Sequence, residues 1–299
     1  MNGMNRIVGI VLIITSAAAF GTLGILGRFA YAEGMDTLSI MSLRFTLAAL
    51  VLLVLLVLRG EALPRGGNLV RLIGMGALGY VGQAFAYLTA LKYASPGLVA
   101  LLLYLYPVFV VILSVTWNHE PISRIKIFAL GLALVGLALT VGPEGGQLPG
   151  ILLAIAAAAI YSVYIVVGTK VMQQVSAVQS STVIFFSAGV TSSLLMLANG
   201  AHLPRTGMGW GVIAAIVIIA TVVPVVTFLA GLRRIGATDA AMFSTLEPVV
   251  TVLLAALLLG EILKPVTLLG GGLILAAVLL LMRAKMQELA PGQVGDEKR

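Results

Sequence analysis

The 299-residue chain is too hydrophobic to be an ordinary soluble domain: 60% of its residues are hydrophobic, 10% are charged and the mean hydropathy is +1.12. It contains no cysteine and only two histidines, which excludes disulfides, thiolate metal sites and a multi-histidine metal site built within the chain. The net charge of +7 would suit a nucleic-acid partner, but the placement of the basic residues, given below, argues against one.

Ten apolar segments are long enough to cross a bilayer, which needs about 20 mostly apolar residues per helix. In chain order, the predicted spans 1 to 10 are 7–30, 37–58, 69–91, 95–117, 124–142, 149–170, 178–200, 208–232, 238–259 and 265–283. A membrane β-barrel is set aside because Leu47–Leu58 is continuously apolar, whereas barrel strands alternate in polarity over about 10 residues. The sequence therefore predicts an all-α integral membrane protein with ten transmembrane helices.

The second five spans repeat the first five after a shift of 141 residues. The landmarks that coincide are Gly9 with Gly150, Gly27 with Gly168, Leu91 with Leu232, Lys92 with Arg233, Pro107 with Pro248, Glu120 with Glu261, and Gly131 with Gly272. Because five is odd, the second copy enters the membrane from the opposite side. We therefore predict two inverted five-helix repeats, at 1–142 and 143–284, followed by a disordered tail at 285–299; this architecture is typical of secondary transporters.

Most of the basic residues fall on one side of the predicted membrane. With the N-terminus inside, the cytoplasmic segments hold Arg6, Arg59, Arg65, Arg71, Arg124, Lys126, Lys170, Arg233, Arg234, Arg283, Lys285, Lys298 and Arg299. The external segments hold Arg28, Lys92, Arg205 and Lys264, and Arg44 lies within a span. The positive-inside rule then places both termini in the cytoplasm, so the basic charge reflects topology and not a nucleic-acid partner.

The sequence carries no signature of an enzyme. Asn118-His119-Glu120-Pro121 resembles a zinc-protease helix only superficially, since no second histidine follows at the required spacing, and no GxxxxGK[ST] phosphate loop is present. Almost the whole chain is membrane-spanning, which leaves no room for a soluble catalytic or scaffold domain. We expect no cofactor, and we expect any energy coupling to come from a gradient or an accessory chain.

Two prolines occupy equivalent places in the two copies. Pro107 lies near the middle of span 4 and Pro248 near the middle of span 9. Proline removes a backbone hydrogen bond and frees carbonyl groups, and symmetric broken helices are the best sequence pointer to a central binding site. We predict that both act as hinges; the alternative is that each only shapes helix packing.

Two charged residues lie well inside the predicted bilayer. Glu247 is about 13 Å deep in span 9 and Arg44 about 10 Å deep in span 2, at a rise of 1.5 Å per residue. Burying either charge without a partner costs at least about 2.5–3.5 kcal/mol, so each should face the protein interior or water. Glu247, whose counterpart is Tyr106, could bind a substrate ammonium or take up a proton, or it could be structural and pair with Arg44. Arg44 is interpreted as an anchor of the outer end of span 2.

Several tyrosines lie near the middle of their spans and not at the membrane interface where tyrosine is usual. Tyr80, Tyr104 and Tyr161 are of this kind, and Tyr80, Gln83 and Tyr87 share one helix face through their i, i+3, i+7 spacing. A polar aromatic face suits a cavity that stacks planar substrates and hydrogen-bonds their polar ends. The alternative is that this face packs against a neighbouring helix through its hydroxyl groups.

Together these residues resemble the EamA family of the drug/metabolite transporter superfamily over residues 6–283. The residues that carry the resemblance are Phe20-Gly21, Arg44-Phe45, Pro107, Glu120, Glu247-Pro248 and Gly260-Glu261. One departure is Phe20, where many members have tryptophan. Overall the chain looks most like bacterial inner-membrane exporters of aromatic amino acids of the YddG type.

The resemblance implies a cavity lined by spans 1, 3, 4, 6, 8 and 9, with spans 5 and 10 at the periphery. The predicted substrate-binding residues fall on these spans: Tyr80, Gln83, Tyr87, Tyr104, Tyr161, Ser244 and Glu247. The expected function is alternating-access export of aromatic amino acids and related zwitterions by a monomer in the lipid bilayer. The alternative is proton-coupled export of drugs or cationic metabolites.

Overall fold

A computed structural model describes residues 3–90, 93–94, 99, 102–119, 121–141, 147–259 and 264–287. Every regular element of this part of the chain is helical, as the sequence predicts. Leu91, Lys92, Glu120, Gly260, Glu261 and most of the predicted tail lie outside the described residues.

The described residues contain thirteen α-helices. The α-helices are α1 (Gly3–Gly21), α2 (Leu23–Ala32), α3 (Thr37–Leu58), α4 (Gly67–Gly74), α5 (Val81–Ala90), α6 (Tyr106–Asn118), α7 (Arg124–Val141), α8 (Leu148–Val171), α9 (Ala177–Asn199), α10 (Gly207–Val217), α11 (Val223–Phe243), α12 (Glu247–Leu259) and α13 (Pro265–Gln287). Local sequence sets several starts: Asp36 accepts a bond from the Ser39 amide at 3.0 Å, and Ser176 with Gln179 forms a capping box.

Seven helical stretches of the described chain are long and apolar enough to cross a membrane. The longest, Gly207–Leu258, has 52 residues and would measure about 78 Å as a straight helix, far more than the ~30 Å hydrocarbon layer. It is divided at Gly236, whose φ of 84° belongs to the region that glycine adopts readily. The chain therefore turns there, which separates the predicted spans 8 and 9; the total of ten spans stays a prediction.

Both prolines predicted as hinges follow breaks in their helices and do not lie within continuous ones. A turn at Tyr104 and Leu105 precedes α6, and a 3-10 turn at Ser244–Leu246 precedes α12. Pro107 and Pro248 then occupy the first turn of the new helix, where the missing N–H costs little. The breaks make spans 4 and 9 discontinuous at equivalent positions of the two repeats.

Two π-helical segments also lie at equivalent places in the two halves. π1 is Met75–Tyr80 and π2 is Ile218–Val222, and a shift of 141 residues superimposes most of their lengths. In the second half, Pro224 follows π2 and cannot donate a hydrogen bond to the carbonyl of Ala220. Such π-bulges occur frequently at functional sites.

The two halves are interleaved, and helices pack mainly on helices of the other half. α3 packs along α9, α7 along α13, α1 along α11, and α5 along α8. The pair of α3 and α9 joins the equivalent spans 2 and 7, and the pair of α7 and α13 joins the equivalent spans 5 and 10. The pair of α1 and α11 (spans 1 and 8) is the counterpart, in the other half, of the pair of α8 and α5 (spans 6 and 3). α7 and α13 pack chiefly on each other, as expected for spans 5 and 10 at the periphery.

Contacts between the two halves show which loops lie together at each end of the bundle. At one end the backbone N–H of His202 donates to Ser39 Oγ at 2.8 Å, and Thr206 bonds to Glu33. At the other end Ser176 bonds to the Glu61 carboxylate at 2.5 Å. The second end holds most of the described basic side chains: Arg59, Arg65, Arg71, Arg124, Lys126, Lys170, Arg233, Arg234 and Arg283. This asymmetry supports the predicted orientation.

The closest helix contact of span 3 depends on a glycine. A Cβ at Gly76 in π1 would overlap the carbonyl oxygen of Ile184 and the hydroxyl of Ser187 on α9. We expect Gly76→Ala to lower the free energy of unfolding by about 1–3 kcal/mol, because backbone cannot move away as a flexible side chain would. Thermal unfolding in detergent measures the change. Gly82→Ala is the control, since a Cβ there meets nothing within 4 Å; equal stability of the two variants would contradict the prediction.

Candidate substrate site

Glu247 opens α12 directly after the helix break and faces the interior of the bundle. A carboxylate is favoured in the first turn of a helix by the helix dipole. Its carboxylate is hydrogen-bonded to the side chain of Tyr104, and the residue keeps part of its surface exposed. Across from it, span 1 is interrupted at Thr22, and the backbone oxygen of Gly21 accepts a bond from Thr251 at 3.1 Å.

Five tyrosine rings run in sequence away from Glu247, and we call them the tyrosine array: Tyr104, Tyr106, Tyr161, Tyr164 and Tyr80. Successive ring centroids are 6.1, 4.9, 5.9 and 5.8 Å apart. These separations lie within or near the range of edge-to-face and stacked aromatic pairs. The array draws on spans 3, 4 and 6, so it joins both halves of the chain.

The Glu247 carboxylate lies near most of this array. The hydroxyl groups in its neighbourhood are those of Tyr80, Tyr87, Tyr104, Tyr106 and Tyr161. Tyr106 is buried and bonds to the side chain of Ser244, which also donates to the carbonyl oxygen of Ala240 at 2.9 Å. A single carboxylate is thus surrounded by phenol groups that offer both flat apolar faces and hydrogen-bonding tips.

Arg44 lies at the opposite end of the array from Tyr104. Its Nε donates to Thr221 Oγ1 at 2.7 Å, and its Nη2 donates to Tyr80 Oη at 3.3 Å and to the Ala220 carbonyl at 3.5 Å. The last contact uses the carbonyl that Pro224 leaves without its helical donor. Arg44 also lies 5.1 Å from the ring centroid of Phe45 and interacts electrostatically with Glu247.

The structure brings together most of the residues that the sequence predicts. Tyr80, Tyr104 and Tyr161 belong to the tyrosine array, Tyr87 lies within electrostatic range of Glu247, and Ser244 bonds to the array through Tyr106. Gln83 is partly buried on α5, and the described contacts do not join it to the array. Pro107 and Pro248 are buried at the helix starts that carry Tyr106 and Glu247.

Arg44 faces the protein interior, as the sequence predicts for a charge inside the bilayer: the side chain is only 8% exposed and bonds to spans 3 and 8. Its role as an anchor of the outer end of span 2 stays a prediction. Three other residues were not predicted as part of the site, namely Tyr106, Tyr164 and Thr221. The 141-residue shift could have indicated two of them, because Tyr106 is the repeat counterpart of Glu247 and Thr221 is the repeat counterpart of Tyr80.

A groove lies outside the array, between π1 and α8. This groove of about 440 Å³ is mostly apolar, and its lining includes Arg71, Leu78, Val163 and the outer side of Tyr164. Leu78 is 75% exposed, so the groove opens on the surface of the bundle. No group of three or more metal-ligating side chains occurs among the residues that the structure describes.

Comparison with known proteins identifies the family of the chain. The sequence profile of the EamA-like transporter family matches residues 7–142 and, a second time, residues 148–283. The uncharacterized transporter YcbK of Bacillus subtilis is 25% identical over 88% of this chain and 89% of its own length. An uncharacterized transporter of Archaeoglobus fulgidus is 29% identical over 92% of this chain and 96% of its own.

A solved crystal structure shares the fold over nearly the whole molecule. Its TM-score is 0.84 at 20% sequence identity, and the match covers 97% of this chain and 100% of the other. The family profile and the transporter relatives lead to one conclusion, and they indicate a transporter and not an enzyme. The chain belongs to the EamA-like transporter family.

Proposed function

We propose that the protein exports aromatic amino acids and related zwitterions across the bacterial inner membrane by alternating access. The observation that carries the proposal is the tyrosine array with a carboxylate beside it, deep in the bundle. The substrate ring stacks among the tyrosines, and Glu247 with Tyr104 binds the substrate ammonium. Aromatic faces with a few placed polar groups are the usual composition of small-molecule sites.

The orientation and the membrane follow from the charge distribution and the family. The basic end of the bundle faces the cytoplasm, and so do both termini, in accordance with the positive-inside rule. The two repeats, at 1–142 and 143–284, are inverted with respect to each other, and the site lies where they meet. We propose that a monomer suffices, because residues of both halves of one chain build the array.

The equivalent breaks before α6 and α12 supply the hinges. Replacing Pro107 and Pro248 together by alanine restores two backbone donors and allows the helices to continue through the breaks. We expect the rate of phenylalanine transport to fall several-fold while its dissociation constant stays unchanged, because the array itself is intact. Flux in proteoliposomes and equilibrium binding in detergent measure the two quantities. A loss of binding equal to the loss of rate would show that the prolines only shape the site.

Flux into proteoliposomes tests the substrate class. We expect saturable transport of labelled phenylalanine, tyrosine and tryptophan, and much weaker transport of alanine or lysine, which lack a ring to stack on the array. Absence of flux with all three aromatic amino acids would overturn the proposal.

A second candidate function is proton-coupled export of drugs or cationic metabolites. The observation that favours it is the carboxylate of Glu247 within the membrane, since such groups serve in proton relays and bind cations. This function predicts flux of an aromatic cation such as ethidium that depends on a pH gradient. Aromatic amino acid flux that is indifferent to the pH gradient, with no ethidium flux, would exclude it.

A further inference from the structure

We propose that Arg44 binds the substrate carboxylate, so that the site recognises a zwitterion through two charged residues at opposite ends of the tyrosine array. This inference rests on the proposed function and deepens it. It assigns a role in specificity to a residue of span 2, a span that the family resemblance places outside the cavity.

The hydrogen bonds of Arg44 leave part of its guanidinium available. The contacts to Thr221, Tyr80 and Ala220 use Nε and Nη2, and the described residues provide no partner for Nη1. Nη1 is also not among the buried nitrogen and oxygen atoms that lack a partner, whereas Nε of Arg234 is. Nη1 therefore keeps some accessible surface, although the whole residue is only 8% exposed.

The contacts also fix the direction of the guanidinium. Tyr80 and Thr221 are counterparts in the two halves, and Arg44 lies between them with its Nε and Nη2 occupied on either side. A guanidinium held in this way offers its remaining donors in a fixed plane, which suits a planar carboxylate. A long flexible lysine would not be oriented by the same partners.

Both charges of the site break the symmetry of the repeat. The counterpart of Arg44 is Phe185, whose ring stacks on Phe45 with centroids 5.9 Å apart, and the counterpart of Glu247 is Tyr106. Arg44 and Glu247 thus lie at non-equivalent positions, and each has an aromatic residue in its place in the other half. An inverted repeat that needed charges only for its own packing would gain nothing from this asymmetry.

Arg44 and Glu247 interact electrostatically, but each directs its hydrogen bonds to other residues. Glu247 bonds to Tyr104, and Arg44 bonds to Thr221 and Tyr80. Among the described residues the two charges are therefore not hydrogen-bonded to each other, and we expect a substrate that carries both an ammonium and a carboxylate to bind to both. A buried charge gains most from a partner of opposite sign with good hydrogen-bond geometry.

Equilibrium binding of three ligands to the purified protein in detergent tests this role. The ligands are phenylalanine, phenethylamine, which lacks the carboxylate, and 3-phenylpropionate, which lacks the ammonium. In Arg44→Gln we expect affinity for phenylalanine and phenylpropionate to fall at least about tenfold, the loss of one charged hydrogen-bonding interaction, while affinity for phenethylamine stays unchanged. Arg65→Gln, at the basic end of the bundle, is the matched control and should change none of the three affinities.

Two further variants keep the result interpretable if Arg44→Gln is unstable. Arg44→Lys keeps the positive charge without the planar guanidinium, and Thr221→Val removes the hydrogen-bond partner of Nε. Both variants should lower the affinity for phenylalanine more than the affinity for phenethylamine. An equal loss of affinity for both ligands, or no loss of affinity for either, would overturn the role of Arg44. Failure of the wild-type protein to bind any of the three ligands would instead overturn the proposed function.

Discussion

Replacing Glu247 by glutamine is expected to lower phenylalanine flux by about 100-fold, because removing one partner of a buried charge pair costs about 2–5 kcal/mol. Glutamine keeps the size of the side chain and its hydrogen bond to Tyr104, so the substitution removes little except the negative charge. The ammonium of the substrate then loses its only anionic partner in the described site. Flux of labelled phenylalanine in proteoliposomes, together with equilibrium binding, measures the effect.

Ligand chemistry and a second glutamate provide the controls for this result. Affinity for 3-phenylpropionate, which has no ammonium, should fall much less than that for phenylalanine. Glu61→Gln, whose carboxylate bonds to Ser176 at the end of the bundle, should transport at nearly the wild-type rate. Wild-type flux in Glu247→Gln would remove this carboxylate from the mechanism and leave the tyrosine array without its charged end.

Asp239→Asn is expected to destabilise the fold by about 3 kcal/mol, the cost of leaving a buried ion without its partner. Lys126 Nζ lies 2.6 Å from Asp239 Oδ1, and the two side chains are only 15% and 5% exposed. The pair joins the first turn of α7 to α11 just after the break at Gly236. It therefore fixes peripheral span 5 against the chain that leads to Glu247.

Thermal unfolding in detergent measures this effect, with Lys126→Met as the companion variant. Asp239 makes a further interaction, so Lys126→Met should cost less than Asp239→Asn, which leaves an ammonium buried. The matched control is Lys170→Met at the same end of the bundle, where the lysine is exposed. Equal unfolding temperatures for Asp239→Asn and the wild type would show that the pair contributes nothing to stability.

The broad architecture could be predicted from the sequence because hydropathy and repetition are properties of the chain itself. Apolar segments of about 20 residues must be helical in lipid, since each backbone group needs a partner within the segment. The shift that aligns Pro107 with Pro248 located the equivalent breaks. It also singled out Glu247, because a carboxylate opposite a tyrosine is a mismatch that the sequence displays directly.

The partners of Arg44 could not be predicted, because they depend on how helices from different halves pack. Nothing in the local sequence pairs a residue of span 2 with Thr221 of span 8. Helical spacing also grouped Gln83 with Tyr80 and Tyr87; Tyr80 directly precedes the α-helix α5, which contains the other two. The shared face and the role of Gln83 in binding stay predictions, because the described contacts do not join Gln83 to the array.

The structure at the start of α12 also could not be predicted in full from the sequence. Proline at position 248 predicts an interruption of the helix, but not whether the chain kinks or stops and restarts. The structure has a 3-10 turn at Ser244–Leu246 followed by a new helix, which places Glu247 in a first turn and Ser244 beside Tyr106. Packing against the interrupted span 1 at Gly21 selects this arrangement, and that contact joins residues about 230 positions apart.

A crystal structure with 4-bromophenylalanine bound tests the central claim most directly, because the anomalous signal of bromine locates the substrate ring independently of the protein density. We predict a single strong bromine peak within van der Waals distance of the tyrosine array, with the ligand carboxylate on Arg44 and its ammonium on Glu247. A bromine peak in the surface groove beside Leu78, or none at the array when the ligand is saturating, would contradict the account.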